Sequence, residues 1–147
     1  MNHNRHIGES GEEDILNLIA CPNCGKGLMR LPKNYPLFDF QCTACVFRAQ
    51  LKTNSCKPKN EIFGAGWDVM EKVLKSGFMV PPLIVNFKWA EYGSNHQKIL
   101  FFPFIPKSNL KHRRLKPSAK RGDYVMFNYI GLLDLPHFVL YDSENKP

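Results

Sequence analysis

The sequence lacks any apolar run that approaches the length needed to span a bilayer. Its first residues, Met1 to His6, also lack the apolar segment of a secretory signal peptide. We therefore expect a cytoplasmic protein with reduced thiols and no membrane partner. Internal repeats and low-complexity tracts are absent as well. The 147 residues, 44% hydrophobic and 22% charged, predict a globular chain with a core of its own.

Acidic residues are missing from one long segment. Between Tyr92 and Gly122 there is no Asp or Glu, and the segment's eight basic residues exceed the net charge of +7. Such a run favours contact with the phosphates of double-stranded DNA over the alternative, a solvated loop. Tyr124 follows this segment and either stacks on a base or packs in the core. The residues predicted to contact DNA are Lys107, Lys111, Arg113, Arg114, Lys116, Lys120, Arg121 and Tyr124.

Four of the five cysteines form two Cys-x-x-Cys pairs, Cys21–Cys24 and Cys42–Cys45, separated by seventeen residues. This spacing is typical of a structural zinc site with four thiolate ligands. Because four thiolates leave no open position on the metal, the zinc is expected to hold structure and to take no part in chemistry. The alternative, chance cysteines in a core, explains the spacing poorly. Cys56 is left over and is expected to be a bystander.

The hydrophobic patterns predict an α/β fold with a mixed sheet flanked by helices and an inserted four-cysteine knuckle. Ser10 and Glu13 form a candidate capping box that would begin a short helix ending before Cys21. The other predicted elements are strands within 28–52, a helix near 64–76, strands at 83–89 and 99–105, a basic connector over 106–122, and strands near 124–130 and 137–141.

An acidic residue and a Gln-x-Lys flank the second cysteine pair. Period-two alternation places Gln50 and Lys52 on one face of their strand, while Asp39 lies on the strand before the knuckle. Asp39 and Gln50 offer oxygen ligands for Mg²⁺, and Lys52 offers a positive charge near a water or a phosphate. Alone the pattern is weak, since Asp, Gln and Lys on an amphipathic strand pair are usually the solvated face.

These motifs together resemble the DpnI-like restriction endonucleases, the dam-replacing protein family. The resemblance covers most of residues 15–142 and rests on four segments: Cys21-Pro22-Asn23-Cys24-Gly25, Asp39-Phe40-Gln41-Cys42-Thr43-Ala44-Cys45, Gln50-Leu51-Lys52 and Leu115-Lys116-Pro117-Ser118-Ala119-Lys120-Arg121. It implies a PD-(D/E)xK nuclease core with a built-in zinc site. Asp39 then falls on the family's metal-binding Asp, Lys52 on its catalytic Lys, and the four cysteines on its zinc ligands.

Two departures from the family pattern stand out: Gln50 replaces Glu, and Phe38 replaces the Pro before Asp39. The resemblance implies cleavage of adenine-methylated GATC sites, with Asp39, Gln50 and Lys52 as catalytic residues. We expect a flexible leader over 1–14, a nuclease-like domain over 15–147, and no C-terminal winged-helix domain. The oligomeric state is not set by the sequence.

Two other functions compete with the nuclease. A zinc-stabilised module that binds DNA without cutting it, a degenerate nuclease, is favoured by Gln50 and by the expected lack of a second domain. A zinc-ribbon module for protein interactions leaves the acid-free segment 92–122 unexplained.

Overall fold

The computed structural model describes residues 3–114 and 125–145, with side chains from 10 to 144. This part of the chain contains two α-helices, α1 and α2, nine strands, β1 to β9, and three single-turn 3-10 helices at Lys107–Asn109, Leu132–Asp134 and Ser143–Asn145. The α-helices and strands carry the fold. In chain order they are α1 His3–Leu18, β1 Leu28–Arg30, β2 Phe40–Cys42, β3 Arg48–Asn54, β4 Ile62–Gly66, α2 Trp67–Lys75, β5 Leu83–Glu91, β6 Ser94–Phe102, β7 Leu110–Arg114, β8 Val125–Tyr129 and β9 Phe138–Asp142. The predicted mixed α/β class is confirmed.

The strands form two sheets. The larger has six strands in the order β1-β2-β3-β5-β6-β9, and the smaller has three in the order β4-β8-β7. The pairing of β3 with β5 is parallel, whereas the other pairs are antiparallel. A parallel pair needs a long crossover, which β4 and α2 supply here. The larger sheet is therefore mixed, with β3 and β5 at its centre.

The strands β5 and β6 carry apolar residues on both faces of the larger sheet. On one face a core cluster forms against α1, made of Ile15, Phe40, Ala49, Leu51, Ile84, Ile99 and Phe101. On the other face the cluster is larger and joins the smaller sheet and α2; among its members are Met70, Leu83, Val85, Phe87, Leu100, Phe102, Phe127 and Tyr129. Because neighbouring strand residues point to opposite faces, Gln50 faces the smaller sheet while Ala49 and Leu51 face α1.

The second helix confirms the prediction for 64–76. It ends where Gly77 adopts a left-handed φ of 85°. The N–H of Gly77 donates to Leu74 and the N–H of Phe78 to Val73 at 3.1 and 3.3 Å, which closes the last turn.

Several predicted boundaries are wrong. Helix α1 begins at His3, so Ser10 does not cap it. Strand β6 spans Ser94–Phe102, so it begins and ends earlier than the predicted strand at 99–105. The basic connector contains β7, which pairs with β8 over Leu110–Arg114. The boundary between a leader over 1–14 and a domain over 15–147 stays a prediction.

Helix α1 docks on the larger sheet through a polar cluster. The Asp14 carboxylate accepts hydrogen bonds from Asn86 Nδ2 at 3.1 Å and Gln97 Nε2 at 3.0 Å. Its oxygen also lies 2.8 Å from Lys88 Nζ. Since Asn86 is fully buried, Asp14 satisfies an amide that has no access to water. Among the described residues, no helix has the length and apolar composition needed to cross a membrane.

Replacing Asp14 by Ala tests this docking. We expect the free energy of unfolding to fall by about 1–3 kcal/mol, because the buried Asn86 amide loses an acceptor. Urea unfolding followed by circular dichroism measures the change. Glu13→Ala, an exposed change on the same helix, is the control and is expected to stay within about 0.5 kcal/mol. Equal effects of the two changes would contradict the docked position of α1.

Candidate active site and metal centre

The four paired cysteines meet at one point. All four sulfur atoms lie within 4.8 Å of one another. The Sγ atoms of Cys21 and Cys45 are 3.6 Å apart, and those of Cys24 and Cys42 are 3.4 Å apart. A zinc ion with bonds of about 2.3 Å to four sulfurs would set those separations near 3.8 Å. The cluster is positioned to hold a metal, and its size and soft donors fit zinc.

Local hydrogen bonds prepare these thiols for metal binding. The backbone N–H groups of Asn23 and Ala44 point at Cys21 Sγ and Cys42 Sγ, at 3.4 and 3.3 Å. The Asn23 side chain donates to Cys45 Sγ at 3.4 Å, and this contact helps to lower the pKa of Cys45 to about 6. Donors aimed at sulfur stabilise the thiolate, which is the form that binds metal.

Cys56 lies outside the cluster, as expected. Its half-buried side chain packs against the core between the two sheets.

Asp39, the residue before β2, lies beside Gln50 of β3. The register pairs Phe40 with Ala49, and the N–H of Asp39 donates to the Ala49 carbonyl at 2.9 Å. Phe40 and Ala49 are fully buried towards α1. Alternation along both strands therefore directs Asp39 and Gln50 to the opposite face, between the two sheets.

Asp39 and Lys52 are half-buried residues of opposite charge, and each charge acts on the other. The Asp39 Oδ2 atom accepts a hydrogen bond from the Leu51 N–H at 2.7 Å. Burial raises the pKa of Asp39, against the opposing influence of that hydrogen bond and of the Lys52 charge. Burial likewise lowers the pKa of Lys52, and the Asp39 charge only partly offsets it. Both charged forms are thus disfavoured in the folded protein although each partner helps the other.

Gln50 is joined to a residue from the smaller sheet. The Tyr129 hydroxyl donates to Gln50 Oε1 at 2.6 Å, and both side chains are buried. Burial raises the pKa of Tyr129, and the nearby negative charge of Asp39 raises it further. The structure therefore brings Asp39, Gln50, Lys52 and Tyr129 together. No short motif marks Tyr129; the only sequence signal was its place in the predicted strand 124–130.

The donor set at this second site differs from that of the cysteine cluster. Asp39 offers carboxylate oxygens and Gln50 an amide oxygen, which are hard ligands of the kind Mg²⁺ prefers. Mg²⁺ commonly uses one or two protein ligands and completes its shell with water and phosphate. In the described part of the chain, however, the cysteine cluster is the one group of three or more Cys, His, Asp or Glu ligands. The oxygen donors fit Mg²⁺, with a single carboxylate to hold it.

Half of the predicted DNA-contacting residues can be placed. Lys107, Lys111 and Arg114 are exposed, and the last two belong to β7. Arg113 is half-buried and makes two contacts within the protein. Its Nε donates to Asn128 Oδ1 at 3.1 Å, and its guanidinium lies 4.6 Å from the ring centre of Phe63. The other four, which lie outside the described residues, are Lys116, Lys120, Arg121 and Tyr124.

The chain belongs to the Dam-replacing family, DpnI: the family's sequence model matches residues 2–140. This membership confirms the resemblance read from the motifs and makes the chain a restriction-related protein that acts on DNA. No curated protein matches the chain significantly.

Cys42→Ala tests the metal centre. We expect one zinc per chain in the wild type and none in the variant, because three thiolates leave the tetrahedron open. Apparent zinc binding of about 10–16 kcal/mol equals or exceeds the stability of a typical domain, so the variant should lose the fold around the knuckle. Elemental analysis and circular dichroism give both readings. Cys56→Ala is the matched control and keeps both metal and fold. A Cys42→Ala variant with stoichiometric zinc and a wild-type melting curve would be incompatible with this centre.

Asp39→Asn tests the burial of charge in the second site. Asparagine keeps an oxygen for the Leu51 N–H but cannot ionise. A raised pKa in the folded state means that stability is lost as pH rises from about 3.9 through the folded pKa of Asp39. We therefore expect the variant to match the wild type at low pH and to equal or exceed it near neutral pH. Urea unfolding of zinc-loaded, magnesium-free protein across pH measures this. A variant that is less stable than the wild type by a constant amount at every pH would refute it.

Proposed function

We propose that this protein is a Mg²⁺-dependent restriction endonuclease that hydrolyses DNA phosphodiester bonds, with adenine-methylated GATC as its target. Membership of the Dam-replacing family supports action on DNA. The observation that carries the proposal is the grouping of half-buried Asp39 and Lys52 with buried Gln50 on the face between the sheets. A solvated strand face would leave these side chains exposed. The pKa values of Asp39 and Lys52 would then lie near their ordinary range.

In the proposed mechanism two of the three residues bind the cation and the third acts on the phosphate or the water. Asp39 and Gln50 would hold the cation through their oxygen atoms. Mg²⁺ held there would polarise the phosphate and lower the pKa of a water. Lys52 lies beside Asp39 and stabilises negative charge on the phosphate or holds the attacking water. Its lowered pKa increases the fraction of neutral amine, which can accept a proton from that water.

The zinc centre has a structural role in this proposal. The cysteines hold β2 and β3 so that Asp39 and Gln50 meet. The exposed basic residues of β7, Lys111 and Arg114, bind DNA phosphates together with Lys107. We further propose a single nuclease-like domain over 15–147 and a place in the cytoplasm, where the thiols stay reduced.

A second candidate function is a zinc-stabilised module that binds DNA without cutting it. The hydrogen bond between Tyr129 and Gln50 favours it, because one lone pair of the amide oxygen is already used. The presence of one carboxylate where the family pattern has two acidic groups points the same way. Such a module would share the basic surface and differ only in lacking metal-dependent cleavage.

Plasmid cleavage separates the two candidates. We expect zinc-loaded protein in Mg²⁺ to cut adenine-methylated plasmid and to leave unmethylated plasmid intact. Asp39→Ala and Lys52→Ala are expected to abolish cleavage, a loss of at least about 10²–10³-fold, because the first removes the one carboxylate ligand of the cation and the second removes a positive charge that stabilises the transition state. Gln50→Glu should keep or increase activity, since a carboxylate binds Mg²⁺ more strongly than an amide.

The controls show which candidate holds. Lys72→Ala removes an exposed positive charge on α2 and should cut like the wild type. Binding is measured in parallel by fluorescence anisotropy with Ca²⁺ in place of Mg²⁺. Protein that binds both plasmids but cuts neither, in Mg²⁺ or in Mn²⁺, establishes the non-cleaving module and ends the nuclease proposal.

A further inference from the structure

The Tyr129 hydroxyl is a buried group that the proposed reaction does not use. It donates to Gln50 Oε1 at 2.6 Å, and the Tyr129 side chain has no exposure to solvent. Gln50 is only 6% exposed. A short hydrogen bond between two buried side chains from different sheets fixes the position of both.

The backbone holds Tyr129 in place from both sides. Strand β8 is the central strand of the smaller sheet, and Tyr129 pairs with Ile62 of β4 and Leu110 of β7. Its ring packs edge-on against Phe127, with ring centres 5.2 Å apart. The hydroxyl is therefore presented to Gln50 by a rigid support, which is what a residue that orients another requires.

The amide of Gln50 needs such an orienting contact. Rotation about the last side-chain bond of glutamine is soft and roughly two-fold, and it exchanges the oxygen with the nitrogen. Only the oxygen can bind a cation, because the amide nitrogen carries two donor hydrogens. A carboxylate has no such requirement, since both of its terminal atoms are oxygens.

We propose that Tyr129 is a positioning residue that fixes the Gln50 amide so that its carbonyl oxygen is presented to the divalent cation. This inference rests on the proposed function. The oxygen has two lone pairs, and one remains for the cation when the other accepts from Tyr129. An ordinary phenol is protonated at neutral pH, so the hydroxyl serves as the donor of this hydrogen bond. Tyr129 thereby serves a glutamine in a position where the family pattern has a glutamate.

The test is a comparison of cation affinity in two backgrounds. Mn²⁺ is titrated into zinc-loaded protein without DNA, and binding is followed by electron paramagnetic resonance. Tyr129→Phe should weaken binding by about tenfold, the size expected for the loss of an orienting contact to a metal ligand. In the Gln50→Glu background the same change should weaken binding by less than about twofold, because a carboxylate presents oxygen in either orientation.

A merely structural role gives a different result. It would produce the same loss of Mn²⁺ affinity in both backgrounds, and that outcome overturns the inference. So does a Tyr129→Phe variant that binds Mn²⁺ as the wild type does. Absence of Mn²⁺ binding in the wild type would instead refute the proposed cation site, so the two failures are distinguishable. Zinc content and melting temperature establish that each variant is folded.

A measurement on the wild type needs no substitution. In protein with ¹⁵N-labelled glutamine, ¹⁵N relaxation of the Gln50 side-chain NH₂ group is expected to show an amide as rigid as the backbone, before and after Mg²⁺ is added. Fast internal motion of that NH₂ group would contradict the inference even if Tyr129→Phe fails to fold.

Discussion

The register between β2 and β3 is the constraint on which the proposed site depends. Strand β2 has three residues and pairs with β3 at two positions, Phe40 with Ala49 and Gln41 with Arg48. A slip of one residue would turn every side chain of β2 to the other face. Asp39 would then point into the apolar cluster against α1, and Phe40 would point between the sheets. The few hydrogen bonds of so short a strand pair specify its register weakly. A further interaction must therefore fix the register.

A metal bound by the four cysteines would fix the register between β2 and β3. Cys42 ends β2 and Cys45 lies in the turn before β3, so half of the cluster belongs to the β2–β3 connection. The other half, Cys21 and Cys24, follows α1, whose Ile15 packs in the same apolar cluster as Phe40. A metal bound by all four ties the turn to the helix and opposes a slip. In the proposed site, a metal at the cysteines would thus set the geometry of the oxygen ligands without taking part in the chemistry.

The proposed site is costly to the fold, and this cost fits a functional role. Burial disfavours the charged forms of both Asp39 and Lys52, and neither recovers the full cost from its partner. Apolar residues of similar volume would pack there with less penalty. A cation and a phosphate would compensate these charges in a complex with DNA. Such local inconsistency between charge and burial is expected where function has overridden stability.

Local patterns predicted the parts of this site that depend on neighbouring residues. The alternation in β3 placed Gln50 and Lys52 on one face, and the spacing of the cysteines predicted the cluster. Contacts between distant segments were not predictable in the same way. Tyr129 reaches Gln50 only because β8 lies between β4 and β7. Strand β7 was not predicted, because its Lys and Arg residues give no apolar alternation. It forms a strand because it pairs with β8.

Anomalous diffraction from crystals of the zinc-loaded protein grown with Mn²⁺ would locate both metals in one experiment. We expect two separate peaks for each chain: zinc among the four cysteine sulfurs, and manganese within about 2.0–2.6 Å of oxygen atoms of both Asp39 and Gln50. Zinc density at the cysteines with no manganese between Asp39 and Gln50 would contradict this expectation.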